Sequence, residues 1–184
     1  SADDFISAAQ PYEGYLFPDT YSFPPSASAE SVVKKLRDTF DAKTAPLSAD
    51  IAASGHSFSD TIIMASIIER EARRSEDRRM VAGVLWNRIE RGMPLQVDAV
   101  FGYIYGRTTY SPSLDDLKID SPYNTYKYSG LPAGPICNPG LDAIEATLHP
   151  AETKYLYYLT GRDGLMRYAT TYVGHKANVK AYLY

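Results

Sequence analysis

The sequence has little of what active sites are most often built from. One cysteine, Cys137, stands among 184 residues. That excludes an internal disulfide and a cysteine-rich metal site, and leaves a small packed thiol as its ordinary role. The three histidines, His56, His149 and His175, lack paired spacing of the H-E-x-x-H kind. No G-x-S-x-G elbow is present, and no glycine-rich loop with phosphate-binding spacing follows a strand. Positive charge is not in surplus: 19 Lys and Arg mix with 22 Asp and Glu for a net −3, which advertises no nucleic-acid surface. There is no signal peptide, no apolar run long enough to span a bilayer, and no internal repeat. The length suits one domain with a sizeable core. Tyrosine is plentiful, 16 against 6 Phe. Its flat apolar face and polar edge suit carbohydrate grooves, and also half-buried sheets. The chemistry left to such a chain is that of carboxylates.

The stretch Ser57 to Ala72, SFSDTIIMASIIEREA, reads as one helix. Ser57 offers an N-cap oxygen, and Asp60 takes the capping-box position in place of Glu. Ile62, Ile63, Met64, Ile67 and Ile68 cover nearly its whole circumference, the pattern of a buried helix. Two acids lie near its end. At about 100° per residue, Glu69 shares a stripe with Ile62, Ala65, Ser66 and Ala72, and Glu71 lies about 200° away over Met64, Ile67 and Ile68. The two cannot face one cleft. Ala65 and Ser66 leave room for a ligand beside Glu69. Two readings of Glu69 stand at this point. It pairs with Arg73, Arg74, Arg78 or Arg79 as buried Glu usually must, or it is a general acid whose pKa apolar surroundings raise. Any second carboxylate must come from elsewhere, and Asp98 is the nearest candidate.

Around this helix the pattern predicts an α+β fold. Pro11 to Pro25 reads as two short extended pieces, and Ser28 to Lys43 as an amphipathic helix capped by Ser28. Ser75 to Arg91 is a second strong helix capped by Ser75 and stopped by Gly92. Asp98 can cap a helical run from Ala99 to Tyr105, and Ser113 to Leu117 a single turn. Ser121 to Pro139 is a long loop without periodicity, of the kind that is often functional. Asn138 and Pro139 open a helix to Leu148. Tyr155 to Leu159 and Arg167 to Thr170 form a hairpin about Gly161 to Gly164, and Tyr172 to Leu183 is a closing helix.

Several segments taken together resemble one family. ASIIEREA, VAGVLWNRIERGMPLQVDAVFGYIYG and SPYNTYKYSGLPAGPICNPGLDAIEATLHP follow one another in the order found in the catalytic domain of the MltG (YceG-like) endolytic murein transglycosylases. EGYLFPDTYSF, Glu13 to Phe23, resembles the same family. The resemblance covers nearly the whole chain. It implies a single catalytic domain over residues 1–184, a helical core carrying the acid on a buried helix with small antiparallel β pieces. It places the catalytic Glu at Glu69, the first acid of the E-x-E pair. It sets Gln96 and Asp98 on the L-Q-x-D motif, and Tyr123, Asn124 and Thr125 on the Y-N-T motif, as lining of a glycan cleft. The implied reaction needs no metal or cofactor. One acid protonates the oxygen between N-acetylmuramic acid and N-acetylglucosamine, then takes the proton of the sugar's own C6 hydroxyl as a 1,6-anhydro ring closes. Peptidoglycan strands are the implied substrate, and penicillin-binding proteins of the elongation machinery the implied partners. The implied full-length protein works outside the cytoplasmic membrane, with an N-terminal membrane anchor and a LysM-like lobe.

The residues also allow plainer roles: Asn124 bonding its own backbone in a turn, and Asp98 as a helix cap. Departures from the family pattern gather near the C-terminus. Met166 and Tyr168 stand where the family has the His and Phe of G-H-x-F, Gly174-His175-Lys176 stands at E-H-N, and Ala99 replaces a Pro. Two other functions remain open on the sequence: a muramidase using Glu69 with a water held by Asp98, and a glycan-binding wall module without turnover.

Overall fold

In the computed structural model, which describes residues 1–108 and 110–184, the chain opens with α1, Ala2–Ala9, closed by a full capping box from Ser1 and Asp4. A one-turn 3₁₀ helix, Gln10–Tyr12, leads into the Pro-rich segment. No strand forms from Pro11 to Pro25, contrary to the two extended pieces expected there. The segment is tied down singly instead: the Leu16 amide donates to Asn138 Oδ1 at 3.1 Å, and the Tyr21 hydroxyl donates to the Phe17 carbonyl at 2.7 Å. Gly14 makes this approach possible. Its φ is +87°, and a Cβ there would lie 2.3 Å from Pro135 Cγ.

α2, Ala29–Thr44, is capped by Ser28 as its sequence predicts. It delivers Phe40, fully buried, to an edge-to-face contact with Tyr15 at 5.4 Å and with Phe58 at 6.1 Å. α3, Ser48–Ser54, ends on Gly55 in the left-handed region. Then comes α4, Phe58–Glu71, with Ser57 as its N-cap. Every residue from Thr61 to Ile68 is buried. A helix buried all round must be covered on several sides, and α5, Ser75–Glu90, and α7, Leu141–Leu148, both pack on it. Between them lie α6, Ala99–Ile104, a short 3₁₀ turn, Asp116–Lys118, and the long loop from 121 to 139.

Two expected caps are used differently. The N-cap of α5 is Arg74, whose Nε donates to Asp77 at 2.7 Å, with Ser75 already inside the helix. The N-cap of α7 is Gly140, because the Asn138 side chain is spent on Leu16. Among the described residues the sheet is a single antiparallel pair, β1, Tyr157–Thr160, and β2, Met166–Ala169, with Tyr158 opposite Tyr168. α8, Tyr172–Tyr182, packs against it, capped by Thr171. The outcome is the expected α+β class: a helical core around α4 with one small hairpin.

Gly83 shows how closely α5 is pressed. A Cβ there would meet the Ala151 carbonyl oxygen at 2.3 Å, and the Ala151 amide is already held by the Arg79 carbonyl at 2.9 Å. Gly83→Ala should therefore lower stability by about 2–3 kcal/mol despite the better helix propensity of alanine, read by urea denaturation. An unchanged midpoint would mean that the 149–153 segment yields freely.

Candidate active site

Helix periodicity sends the two acids of α4 to opposite sides. Glu69 turns toward α5 and α7. Its Oε1 accepts from Arg78 Nη2 at 2.7 Å, and its Oε2 accepts the Gly140 amide at 3.0 Å. The same guanidinium donates to Asp142 at 2.7 Å and to the Ala72 carbonyl at 3.0 Å. Glu69 is thus one arm of an ionic clasp that joins the end of α4 to the starts of α5 and α7. Of the four arginines near it in sequence, Arg78 is the partner.

Glu71 turns the other way, into a cleft of about 360 Å³. Gln96, Asp98, Tyr126, Tyr158 and Arg88 share the lining with it. Tyr158, from β1, donates to Glu71 Oε2 at 2.8 Å. Burial pushes the Glu71 carboxyl above the ordinary carboxylate range, the neighbouring charge of Asp98 adds to that, and the Tyr158 hydroxyl and Ala99 amide oppose it. Tyr158 itself is held well above the usual phenol range, by burial first and by the Glu71 charge second. A carboxyl that retains its proton more readily than an ordinary glutamate is suited to donating it.

Local backbone chemistry brings Gln96 and Asp98 to this acid. Leu95 and Val97 are buried, so the residues between and after them turn outward to the cleft. Gln96 has φ of +52°, the one positive value on a non-glycine among the described residues. That conformation costs about 1–2 kcal/mol and clusters at functional sites. Thr125 holds it in place: its carbonyl accepts the Gln96 amide at 3.0 Å and its hydroxyl accepts the Val97 amide at 3.1 Å. Asp98 begins α6 without capping it; its Oδ1 accepts the Tyr126 hydroxyl at 2.5 Å.

The expected site residues therefore divide. Gln96 and Asp98 line the cleft. Glu69 does not; its carboxylate is engaged in the clasp with Arg78 and Gly140. Asn124 is 1% exposed and donates to the carbonyls of Leu117 at 3.0 Å and Ile119 at 2.9 Å, while its oxygen accepts the Tyr126 amide at 2.9 Å. It knots the loop. Thr125 acts on the cleft through the backbone of Gln96 and Val97. Tyr123 packs on Tyr103 at 4.6 Å and lies outside the cleft lining. The Y-N-T segment builds the loop whose next residue, Tyr126, reaches the site.

Sequence reasoning missed Glu71, Tyr126, Tyr157, Tyr158, Arg88 and His175 as lining residues. Arg88 was concealed on the inner face of a helix. It is 6% exposed, and donates to the carbonyls of Leu156 at 2.6 Å, Leu95 at 2.7 Å and Pro94 at 3.2 Å. One guanidinium thus fixes β1 and the Leu95–Asp98 segment to α5, and burial lowers its pKa. The available signal was the arginine itself, among apolar neighbours on an otherwise core-facing helix, together with the tyrosine run YLYYL.

A helical core that presents one desolvated carboxyl in a tyrosine-lined cleft beside an L-Q-x-D segment defines a class, and the comparisons name it. The chain belongs to the YceG-like family, whose model matches residues 1–181. It is similar to the endolytic murein transglycosylase of Bacillus subtilis (strain 168), with 38% identity over 174 residues, 94% of this chain and 48% of that protein. The endolytic murein transglycosylase of Streptococcus pneumoniae serotype 2 (strain D39 / NCTC 7466) is 36% identical over 173 residues, 91% of this chain and 31% of that protein. The chain thus spans half or less of the length of these curated relatives. A solved structure of a YceG-like protein from Listeria monocytogenes superimposes with a TM-score of 0.85 at 34% identity, covering 95% of this chain and 63% of that one.

Two outcomes test this description. Thr125→Val keeps the shape but leaves the buried Val97 amide unpaired, and should cost about 1–3 kcal/mol in chemical denaturation. The second concerns Glu71. Its pKa is raised in the folded state, so the fold binds the proton more tightly than the unfolded chain, and wild-type stability falls as pH rises above about 4.3, the unfolded value. Glu71→Gln removes that loss. The variant should melt at a higher temperature than wild type at pH 7, and the difference should shrink as pH falls below about 4. A variant that is less stable at pH 7 would show that the ionised carboxylate is welcome in its site.

Proposed function

We propose that this chain is the catalytic domain of an endolytic murein transglycosylase, with Glu71 rather than Glu69 as its acid and base. The observation that carries the reading is Glu71: a carboxyl with its pKa raised by burial, in the same cleft as Gln96 and Asp98. The family membership and the names of the relatives support the substrate class.

In the proposed reaction the protonated Glu71 donates to the glycosidic oxygen between N-acetylmuramic acid and N-acetylglucosamine. The bond from that oxygen to C1 breaks, and positive charge develops at C1. Glu71, now a carboxylate, accepts the proton of the C6 hydroxyl of the same muramic acid. The C6 oxygen bonds to C1, closing the 1,6-anhydro ring and returning Glu71 to its protonated state. One carboxyl serves both steps, so a single acid in the cleft suffices. Tyr158 fixes the carboxyl by the 2.8 Å hydrogen bond, and supplies a donor that steadies its ionised form between the steps. Asp98, held by Tyr126, is the neighbouring carboxylate whose charge keeps the acid's proton affinity high. The substrate carries the reading to the cell envelope, outside the cytoplasmic membrane. The family resemblance adds to the proposal a membrane anchor in the full-length protein and penicillin-binding proteins as partners. No single helix among the described residues is long and apolar enough to cross a bilayer.

A second reading has one observation in its favour. Asp98 shares the cleft with Glu71, and two carboxyls in one cleft are what a hydrolase needs to activate water. The products separate the two. Purified peptidoglycan is digested with wild type, Glu71→Gln and Glu69→Gln, and the muropeptides are read by mass spectrometry. Anhydromuramyl ends from wild type, a loss of about 10²–10⁴-fold in Glu71→Gln, and activity within about tenfold of wild type in folded Glu69→Gln are expected. Reducing ends would replace the reading with a muramidase. An inactive, folded Glu69→Gln beside an active Glu71→Gln would return the acid to Glu69.

A further inference from the structure

The cleft has another wall, which the proton transfers above leave unused. Tyr157 from β1 and Tyr172 and His175 from α8 line it together. The imidazole of His175 stacks on the Tyr157 ring at 5.4 Å and 25°. Tyr172 lies 6.0 Å from Tyr157 and 6.4 Å from His175, so the three rings form one aromatic triangle. Arg88 braces it from within, its guanidinium 5.2 Å from the Tyr157 ring centre. Lys176 lies 5.0 Å from the Tyr172 ring.

Two features of this triangle have no use in the fold. Tyr172 is 58% exposed at the edge of a cleft, although a large aromatic ring gains from being covered. His175 Nδ1 is buried without a hydrogen-bond partner, the one such side-chain atom among the described residues. Buried polar atoms in native proteins are almost always paired, and an orphan calls for a partner. Burial, with the Arg88 charge behind it, lowers the pKa of this imidazole, so the ring is neutral at neutral pH. A neutral ring can both donate and accept, as hydroxyl and acetamido groups require.

A pyranose accounts for the exposed ring directly, and for the orphan nitrogen once the imidazole, which lines the cleft, turns that edge toward the sugar. Its apolar C–H face covers an exposed aromatic ring, and its equatorial polar groups supply hydrogen bonds at the edge. We propose that Tyr157, Tyr172 and His175 form a pyranose-stacking subsite that holds the glycan strand beside Glu71, with His175 making the polar contact that orients the sugar. The subsite rests on the glycan-cleaving reading above. Its occupant is a saccharide of the strand, since the triangle opens into the same cavity as the acid. Tyr157, Tyr172 and His175 are positioning residues here: they bind substrate and move no proton.

The test separates binding from turnover. In a Glu71→Gln background, glycan strands freed of stem peptides by an amidase are titrated calorimetrically against the parent and against the added changes Tyr172→Ala, His175→Ala and His175→Phe. Tyr172→Ala and His175→Ala should each weaken binding about 5- to 10-fold without changing the melting profile. His175→Phe keeps the stack but not the nitrogen, and should also weaken binding. In the Glu71 background the same changes should raise KM more than they lower kcat. Strands that bind the parent and all variants equally overturn the subsite and leave the function standing. A parent that binds no strands, with a wild type that releases no product, overturns both. A fall in kcat at constant KM overturns the positioning role.

Discussion

The burial of α4 is the constraint on which the rest depends. Its residues from Thr61 to Ile68 are covered on every side, so the helix can neither rotate nor slide without opening the core. At its end the periodicity of about 100° per residue decides which acid goes where. Glu69 is delivered to Arg78 and Gly140, where it locks three helix ends together. Glu71 is delivered to the cleft. One buried rod thereby sends two acids, two residues apart, to opposite sides, one into an ionic clasp and the other into the cleft.

Much of the architecture was legible because it is local. Capping by Ser57 and Ser28, the apolar faces of α4 and α5, and the hairpin with its Gly161–Gly164 turn all follow from side chains within a few positions of one another. The angular separation of Glu69 and Glu71 was legible too. What was not is the direction of the cleft. Ala65 and Ser66 beside Glu69 read as room for a ligand, but the Ser66 hydroxyl accepts the Ile136 amide at 3.0 Å and the space is filled by the loop from 121 to 139. Small residues on a buried helix make way for backbone as readily as for substrate. The Asn124 knot was legible in part as an Asx turn, since its oxygen accepts the Tyr126 amide two residues on. Asp98 reads as a helix cap, yet its carboxylate is drawn 28 residues along the chain to Tyr126. Contacts of that range leave no trace in local spacing.

The site carries costs that the core must offset. Glu71 is desolvated, Gln96 is held at positive φ, and Arg88 is buried with carbonyls in place of a carboxylate partner. Each opposes stability, and each has a compensating tie: Tyr158 on Glu71, Thr125 on Gln96, and three carbonyls on Arg88. The ties converge. Arg88 holds β1, β1 supplies Tyr158, and Arg88 also holds the segment that carries Gln96 and Asp98. The acid and the groups beside it therefore share one anchor, and the cleft keeps its geometry even though its walls come from α4, α5, the Leu95–Asp98 segment, Tyr126, β1 and α8.

The altered C-terminal positions can be judged by the same geometry. Met166 and Tyr168, where the resembling family has His and Phe, lie on β2 and outside the lining of the cleft. Tyr168 stands opposite Tyr158 in the hairpin, packs on Tyr155 at 5.6 Å and points its hydroxyl at Asp77 at the start of α5, 3.3 Å away. Its hydroxyl also lies 3.4 Å from Met166 Sδ. These side chains brace the strand that presents Tyr158; they do not meet a ligand in the cleft. His175, by contrast, enters the cleft directly. A change at Met166 or Tyr168 reaches the chemistry only by moving β1, and the ties from Arg88 to the Leu156 carbonyl and from Tyr158 to Glu71 resist that movement. The departures at Met166 and Tyr168 are therefore compatible with the Glu71 carboxyl and its ties as they stand.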